Sequence, residues 1–271
     1  MAEGNLMQYL KSQVFLGAVA LSSVLLLTAC QPKSEATSKT EAEQAAPASI
    51  AADIPVIQAK VVALKLPQQQ ICDEGGCTAY DIQTVKTNVA WIDEYFMQRL
   101  QKADPIAFSE AAASTATPKV EETDPMRLSQ SSSYVRYIGQ HANLATFSLQ
   151  SYSYPAGAAH GIHHQEFVTF DLKQKKRLAL QDIMLPNTEA KMTEELFNHN
   201  YNWLDEHDIS REKFKLSDNF YYGANGLVFV YPLYELASYA EGMPELILPY
   251  YATEKLIKSE YLPSLPQYPS Q

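Results

Sequence analysis

Apolar and polar positions alternate along two neighbouring stretches near the middle of the chain. In residues 143–154, Phe147 and Leu149 share one face, while polar and tyrosine side chains occupy the other. Residues 162–172 repeat the alternation around Phe170. A period of two is typical of a strand with one buried face. We therefore predict two long antiparallel strands at these positions.

Short apolar runs bounded by turn residues indicate further strands. They are predicted over residues 56–66, 78–85, 134–140, 214–222, 226–231 and 246–250. Asn225 and Gly226, between two of these runs, form the residue pair most typical of a tight hairpin turn. The serine-rich chain over residues 111–133 lacks any alternation. We expect that stretch to be irregular and to lie at the surface.

Apolar residues at helical spacing predict a helix over residues 89–103, with Asn88 as its N-cap. A second helix is predicted over residues 187–207, with Asn187 as the capping residue. A short closing helix is predicted over residues 253–258.

Strands and helices occupy separate stretches, and most of the turns have hairpin length. This order predicts an α+β fold with antiparallel sheets and segregated helices. We expect a small N-terminal strand–helix unit over residues 54–125 and a larger domain over residues 126–262. The proline-rich tail at residues 263–271 is expected to be loose.

The beginning of the chain has the pattern of an exported lipoprotein. Residues 14–28, VFLGAVALSSVLLLT, form an apolar stretch that is shorter than the about 20 residues needed to span a bilayer. The sequence Leu-Thr-Ala-Cys that ends at Cys30 then matches the bacterial lipobox. We predict a signal peptide over residues 1–29, lipidation of Cys30 and a disordered tether over residues 30–53.

Gln31, directly after Cys30, bears on the location of such a lipoprotein. In bacteria with two membranes, an aspartate at this position usually marks retention in the inner membrane. The expected location is therefore the bacterial cell envelope, with the lipid anchored in the outer membrane. A plain secretory signal followed by an unmodified cysteine is the alternative.

Cys72 and Cys77 remain as a pair once Cys30 is assigned to lipid. An exported protein meets an oxidising compartment, where a disulfide is the expected state. The intervening loop is short and glycine-rich, which allows the two Cβ atoms to approach. We predict a structural disulfide that closes a hairpin; a redox pair or a metal pair is the alternative.

The charge balance narrows the class of partner. The chain has 21 basic and 31 acidic residues, which gives a net charge of −10. Nucleic-acid binding needs a basic face, so this balance argues against it. An acidic protein is instead suited to a cationic partner.

Small residues and histidines cluster after the first long strand. The turn at residues 155–159 leads into His160 and Gly161, and His163 and His164 follow at once. Imidazole groups favour zinc or copper. Adjacent residues on a strand point to opposite faces, so His163 and His164 cannot both reach one ion. We therefore predict no metal site; His160 either holds the turn, by bonding Glu235 or a tyrosine, or contacts a ligand directly.

Carboxylates and tyrosines provide two further hypotheses. Glu235 with Asp171 or Glu166 has the composition of a glycosidase pair, although acidic domains commonly contain such pairs. Several tyrosines could form an aromatic face suited to sugar stacking or protein contact, and packing within the sheets is the alternative. They are Tyr152, Tyr154, Tyr221, Tyr222, Tyr231, Tyr234 and Tyr239.

Four segments resemble one known family. They read, in chain order, SYVRYIGQHANLATFSLQSYSYPAGAAHG, FVTFDLKQKKRLALQDIM, FYYGANGLVFVYPLYELASYAEG and LILPYY. The order and content of these motifs are similar to the extracellular C-terminal domain of RsiV-type anti-sigma factors. The same domain type accompanies the catalytic domain of the peptidoglycan deacetylase PdaC. The most specific pieces are residues 157–161 and 234–242.

This resemblance implies a binding or sensing domain, because the RsiV domain binds lysozyme. The expected partner is a lysozyme-type protein or a peptidoglycan fragment, with no cofactor and no catalytic residue. A glycan hydrolase or deacetylase-like enzyme that uses Glu235 and His160 is the alternative. The candidate binding residues are Tyr154, His160, Gly161, His163, Tyr234, Glu235 and Tyr239.

Overall fold

The long alternating strands pair with one another in the computed structural model, which describes residues 54–73, 76–110 and 126–263. These residues fall within one compact unit, residues 51–271. Their strands form a seven-stranded sheet and a three-stranded sheet. The predicted signal peptide, Cys30 and the tether lie outside the described residues.

The first sheet has the order β1-β3-β4-β5-β6-β7, with β2 paired to β3 at the side. Its strands are β1 (Ala59–Ala63), β2 (Gln70–Asp73), β3 (Gly76–Thr87), β4 (Leu128–His141), β5 (Leu144–Tyr154), β6 (Ile162–Asp171) and β7 (Lys176–Arg177). The second sheet has the order β10-β9-β8. Its strands are β8 (Phe220–Tyr222), β9 (Gly226–Val230) and β10 (Glu245–Pro249).

The helices lie between these strands in the sequence. They are α1 (Ala90–Ala103), α2 (Leu180–Ile183), α3 (Glu189–His199), α4 (Tyr201–Glu206) and α5 (Tyr250–Thr253). Short 3-10 turns occur at Tyr239–Glu241 and Ser259–Tyr261. The predicted α+β class is confirmed.

One strand pair departs from the predicted antiparallel pattern. β3 and β4 run parallel, with Cys77 opposite Leu128, because the chain crosses back through α1 between them. The division predicted between residues 125 and 126 therefore falls between two strands of a single sheet.

The prediction of irregular chain is wrong for the first residues of β4. Leu128 and Ser133 are buried within that strand, whereas residues 111–125 lie outside the described part of the chain. A serine-rich strand has no apolar alternation to reveal it. Its hydroxyls form bonds instead: Ser131 donates to Asp104 at 2.7 Å.

Two hydrophobic cores hold the sheets. In the first, Phe96 of α1 lies against Phe147 of β5 and Phe170 of β6, with ring centroids 5.2 and 5.8 Å away. The second core combines α2–α5 with the three-stranded sheet and includes the fully buried Met192 and Phe229. Burial of apolar side chains at about 25 cal/mol per Å² is the main stabilising term in both.

Asn88 does not cap α1 as predicted. The helix begins after Val89, without a side-chain cap. The Asn88 amide instead accepts a hydrogen bond from the Gln58 N–H and donates to the Val56 carbonyl. The Asn88 side chain thereby forms the hydrogen bonds that a neighbouring strand would otherwise form with the extended backbone just before β1.

The helix predicted over residues 187–207 is two helices. It begins after Thr188, not at Asn187, which adopts a φ of 62°. It breaks at Asn200, whose amide donates to the carbonyls of Leu196 and Ile247. Asn200 also accepts from the Ile247 N–H, so its side chain covers the open edge of β10.

Two shorter elements also differ from prediction. The closing helix is Tyr250–Thr253 rather than residues 253–258. The disulfide hairpin is formed by a separate short strand, β2, with β3, while β1 pairs further along β3. Cys72 and Cys77 lie opposite each other on β2 and β3 and form the predicted disulfide.

Asn219 joins β6 to the second sheet. Its side-chain oxygen accepts a hydrogen bond from the Phe167 N–H at 2.8 Å, and its side-chain NH₂ group donates to the Gln165 carbonyl at 2.7 Å. Asn219 directly precedes β8 in the sequence. One side chain therefore replaces a strand along this part of β6 and fixes β8 beside it.

Replacing Asn219 by alanine should leave two partly buried backbone groups of β6 without partners. We expect a loss of about 2 kcal/mol in the free energy of unfolding, measured by urea denaturation. Asn202→Ala, at an exposed position of α4, is the matched control. Equal stability of the two variants would show that β6 does not depend on this amide.

Candidate functional site

The small-residue turn after β5 is closed by hydrogen bonds. The Ala158 N–H donates to the Pro155 carbonyl at 3.0 Å, and the Tyr154 hydroxyl donates to the Ala158 carbonyl at 3.0 Å. Gly157 has a φ of 75°, which a residue with a Cβ adopts only with strain. Tyr154, a predicted contact residue, therefore has a role in holding the turn.

A glycine is needed at position 161 because there is no room for a side chain, and not because of its backbone angle. It is buried, and the ring of Tyr152 lies where a Cβ atom on Gly161 would be. Any side chain at this position would displace that ring. The close approach fixes the Gly161 carbonyl at the beginning of β6.

Tyr239, from the 3-10 turn after β9, packs on this corner. Its hydroxyl donates to the Gly161 carbonyl at 2.9 Å. Its ring stacks on His160 with centroids 4.1 Å apart and an interplanar angle of 25°. Residues far apart in the sequence thus form one contact.

Two further rings extend this contact. Tyr234 stacks on Tyr239 at 5.9 Å, and His163 meets Tyr239 edge-on at 6.0 Å. Tyr234 remains 58% exposed. We call His160, His163, Tyr234 and Tyr239 together the aromatic surface.

An ion pair holds the segment that carries Tyr239. His207, which follows α4, contacts Glu241 at 2.5 Å. Its other ring nitrogen lies 2.7 Å from the Trp203 carbonyl, so both nitrogens face acceptors and the imidazolium can donate to both. The Glu241 carboxylate and the Trp203 carbonyl raise the pKa of His207 above its ordinary value of 6.5.

The His207–Glu241 ion pair was not predicted from the sequence. Trp203 and His207 are four residues apart at the end of a helix, and their rings stack at 3.9 Å. Their helical spacing was the available signal. The partner Glu241 is 34 positions away, and no local pattern connects it with His207.

The structure brings together most of the predicted binding residues. His160, Gly161, His163, Tyr234 and Tyr239 form the corner and its aromatic surface. His160 forms neither of the two hydrogen bonds expected for it: its Nδ1 lies 3.1 Å from the Gly161 carbonyl, and it meets Tyr239 by ring stacking. Glu235 is exposed, and among the described residues its side chain forms no hydrogen bond or ion pair.

The other two carboxylates of the hydrolase hypothesis have structural roles. Asp171 is buried and accepts the N–H groups of Lys173 and Gln174, which closes the turn after β6. Glu166 forms ion pairs with Arg99 of α1 and Arg177 of β7. Within the described ranges, neither carboxylate shares a hydrogen bond with Glu235.

His164 lies beside the aromatic surface in sequence but on the other face of β6, since His163 and His164 are adjacent strand residues. Within the described part of the chain, no group of three or more His, Cys, Asp or Glu residues could hold a metal ion. No helix in that part has the length and apolar character to cross a membrane.

Residues 171–251 match the family described as "Protein of unknown function (DUF3298)". The chain therefore contains a DUF3298 domain, which begins at the end of β6 and includes Tyr234 and Tyr239. No curated protein matches the sequence.

Two solved structures share the fold. A DUF3298 family protein from Pseudomonas aeruginosa PAO1 is 22% identical, with a TM-score of 0.59 over 78% of this chain and 98% of that one. A DUF3298 family member from Bacteroides fragilis is 16% identical, with a TM-score of 0.51 over 75% of this chain and 94% of that one. The likeness extends beyond residues 171–251 to most of the chain.

Gly161→Ala should destabilise the protein, because the new methyl group overlaps the Tyr152 ring. We expect a loss of about 1–3 kcal/mol in the free energy of unfolding. Gly139→Ala is the matched control, since a Cβ there meets no atom within 4 Å. A Gly161→Ala variant as stable as the control contradicts the close approach at the corner.

The His207–Glu241 pair should give stability a defined pH dependence. The raised pKa of His207 means that its contribution is complete below 6.5 and is lost as pH rises through the raised value. Glu241 has a lowered pKa, so its contribution is present above 4.5 and is lost as pH falls through the lowered value. The difference in urea midpoint between wild type and His207→Gln should therefore be largest from pH 4.5 to 6.5. If this difference in urea midpoint stays constant up to about pH 9, the His207–Glu241 ion pair is not its source.

Proposed function

We propose that this protein is a lipid-anchored binding protein of the bacterial cell envelope, and that its aromatic surface recognises a lysozyme-type protein. The observation that carries the proposal is the stack formed by His160, Tyr239 and Tyr234, which leaves Tyr234 58% exposed. An exposed tyrosine on a rigid support is characteristic of protein contact sites.

The rigidity of the support favours binding. Tyr234 has a φ of 68°, an uncommon angle for a residue with a side chain. Tyr239 beneath it is fixed by its bond to Gly161 and by the neighbouring His207–Glu241 pair. A ring held in place before binding loses little conformational entropy when the partner arrives.

Charge supports a cationic partner. The net charge of the chain is −10, and the exposed Glu235 directly follows Tyr234. Opposite charges raise the association rate of two proteins and favour the correct partner. The resemblance to the RsiV-type domain points to the same class of protein.

A peptidoglycan fragment is the second candidate. Tyr234 and Tyr239 stack with an interplanar angle of 29°, and a nearly parallel pair of rings offers a flat apolar face to a sugar. The hydrolase alternative has no such support, because Asp171 and Glu166 are engaged elsewhere.

Tyr234→Ala should weaken lysozyme binding about tenfold or more, as expected for a central aromatic contact. The measurement is isothermal titration of the full chain in detergent micelles with hen lysozyme. Tyr251→Ala, at a position 70% exposed and in contact with His199, is the matched control and should bind as wild type does.

The same titration with purified muropeptides separates the two candidates. Binding of muropeptides alone, with the same dependence on Tyr234, supports the second candidate. Release of cleaved glycan supports the hydrolase. An equal loss of affinity in Tyr234→Ala and Tyr251→Ala contradicts a contact role for the aromatic surface. So does a wild-type protein that binds neither lysozyme nor muropeptides.

A further inference from the structure

The seven-stranded sheet has an end that lies away from the aromatic surface. β6 runs from the corner to Asp171, and its 10 residues correspond to about 33 Å of extended chain. The turn between β4 and β5 reaches the same end, because the Leu172 N–H donates to the Asn143 carbonyl at 2.8 Å. We call residues 141–143 and 172–177 together the basic end.

Lysine side chains are exposed at the turn after β6. The buried Asp171 carboxylate accepts the N–H groups of Lys173 and Gln174, which fixes the path of this turn. Lys173 and Lys175 are exposed, and neither forms an ion pair with any residue that the structure describes. The next two basic residues are each paired with a carboxylate. Two lysine charges of the basic end are therefore available to an external anion.

The chain enters the fold beside the basic end. The Gln140 side-chain NH₂ group donates to the Pro55 carbonyl at 3.1 Å and to the Ala142 carbonyl at 2.8 Å. The Gln140 side-chain oxygen accepts a hydrogen bond from the Ile57 N–H at 2.8 Å. Cys30, the predicted site of lipidation, precedes this entry point in the sequence. A lipid on Cys30 would therefore be joined to the fold at the end that carries the free lysines.

Apolar side chains are exposed around the same entry point. Val56 is 74% exposed, and its carbonyl accepts a hydrogen bond from Asn88. Ile54 is exposed as well, and so is Ile138 near the end of β4. A combination of exposed apolar and basic side chains is characteristic of surfaces that contact the interface of a bilayer.

We propose that the basic end contacts anionic phospholipid headgroups, and that this contact points the aromatic surface away from the membrane. The proposal rests on the lipid anchor of the proposed function. The anchor brings the protein to the bilayer, and the attraction of headgroups to Lys173 and Lys175 selects the side that faces it. The chain as a whole has a net charge of −10, so its acidic faces are repelled by the same headgroups. Both effects leave the aromatic surface accessible to a large partner.

A quencher attached to lipid headgroups measures which end of the protein faces the bilayer. The lipidated protein is reconstituted in phosphatidylcholine vesicles that contain the quencher, with or without phosphatidylglycerol. A fluorophore is attached at Ala142→Cys in the basic end or at Ala159→Cys in the corner, both at exposed positions. Cys72 and Cys77 form a disulfide and do not take up the label.

We expect phosphatidylglycerol to increase quenching at position 142 and to leave position 159 unquenched. High salt should remove this increase, because it screens the headgroup charges. Lys173→Gln combined with Lys175→Gln should reduce the population in this orientation about tenfold or more.

Lys213→Gln combined with Lys215→Gln is the matched control, since both lysines are exposed and lie outside the basic end. The control should be quenched at position 142 as wild type is. An equal loss of quenching in the two double variants would show that net charge is the cause, and would overturn the proposal.

Other results separate the proposal from the anchor on which it rests. Equal quenching at positions 142 and 159, or no effect of phosphatidylglycerol, overturns the proposal while the anchor stands. Retention of the protein on purified peptidoglycan that requires Lys173 and Lys175, without a change in quenching, assigns the basic end to the cell wall instead. A protein that leaves the vesicles, with no lipid on Cys30 by mass spectrometry, refutes the anchor and the proposal with it.

Discussion

The contact between Tyr239 and the His160–Gly161 corner is the constraint on which the proposed site depends. It joins positions 78 residues apart through one hydrogen bond and one ring stack. Gly161 makes the contact possible, because the Tyr152 ring occupies the space that any side chain would need. The exposed ring of Tyr234 rests on this arrangement. Packing at Gly161, together with the hydrogen bond and the ring stack of Tyr239, therefore positions the aromatic surface.

The rest of the fold holds the His160–Gly161 corner and the segment that carries Tyr239 next to each other. β6 begins at the corner and then meets α1 and β7 through Glu166, and β8 through Asn219. The His207–Glu241 pair ties the Tyr239 segment to the end of α4. Polar side chains thus perform much of the positioning, while the two apolar cores supply most of the stability.

The elements with clear periodicity were predictable from sequence, and those fixed by long-range amides were not. Alternation identified β5 and β6, and the spacing of two cysteines identified the disulfide. Asn88 was predicted to cap a helix and Asn200 to lie within one, yet each bonds extended backbone at least 30 positions away. The corner was visible as a local cluster of small residues and histidines, and Tyr234 and Tyr239 as a separate motif. Their contact depends on how the two sheets pack, which local patterns do not encode.

Hydrogen–deuterium exchange of the full chain with and without lysozyme tests the central claim most directly. If the corner and the Tyr239 segment form the contact surface, residues 155–163 and 234–242 will exchange more slowly in the complex. Residues 197–206, which include the exposed Tyr201, will exchange at an unchanged rate. Protection at residues 197–206, with none at the corner, would contradict the account.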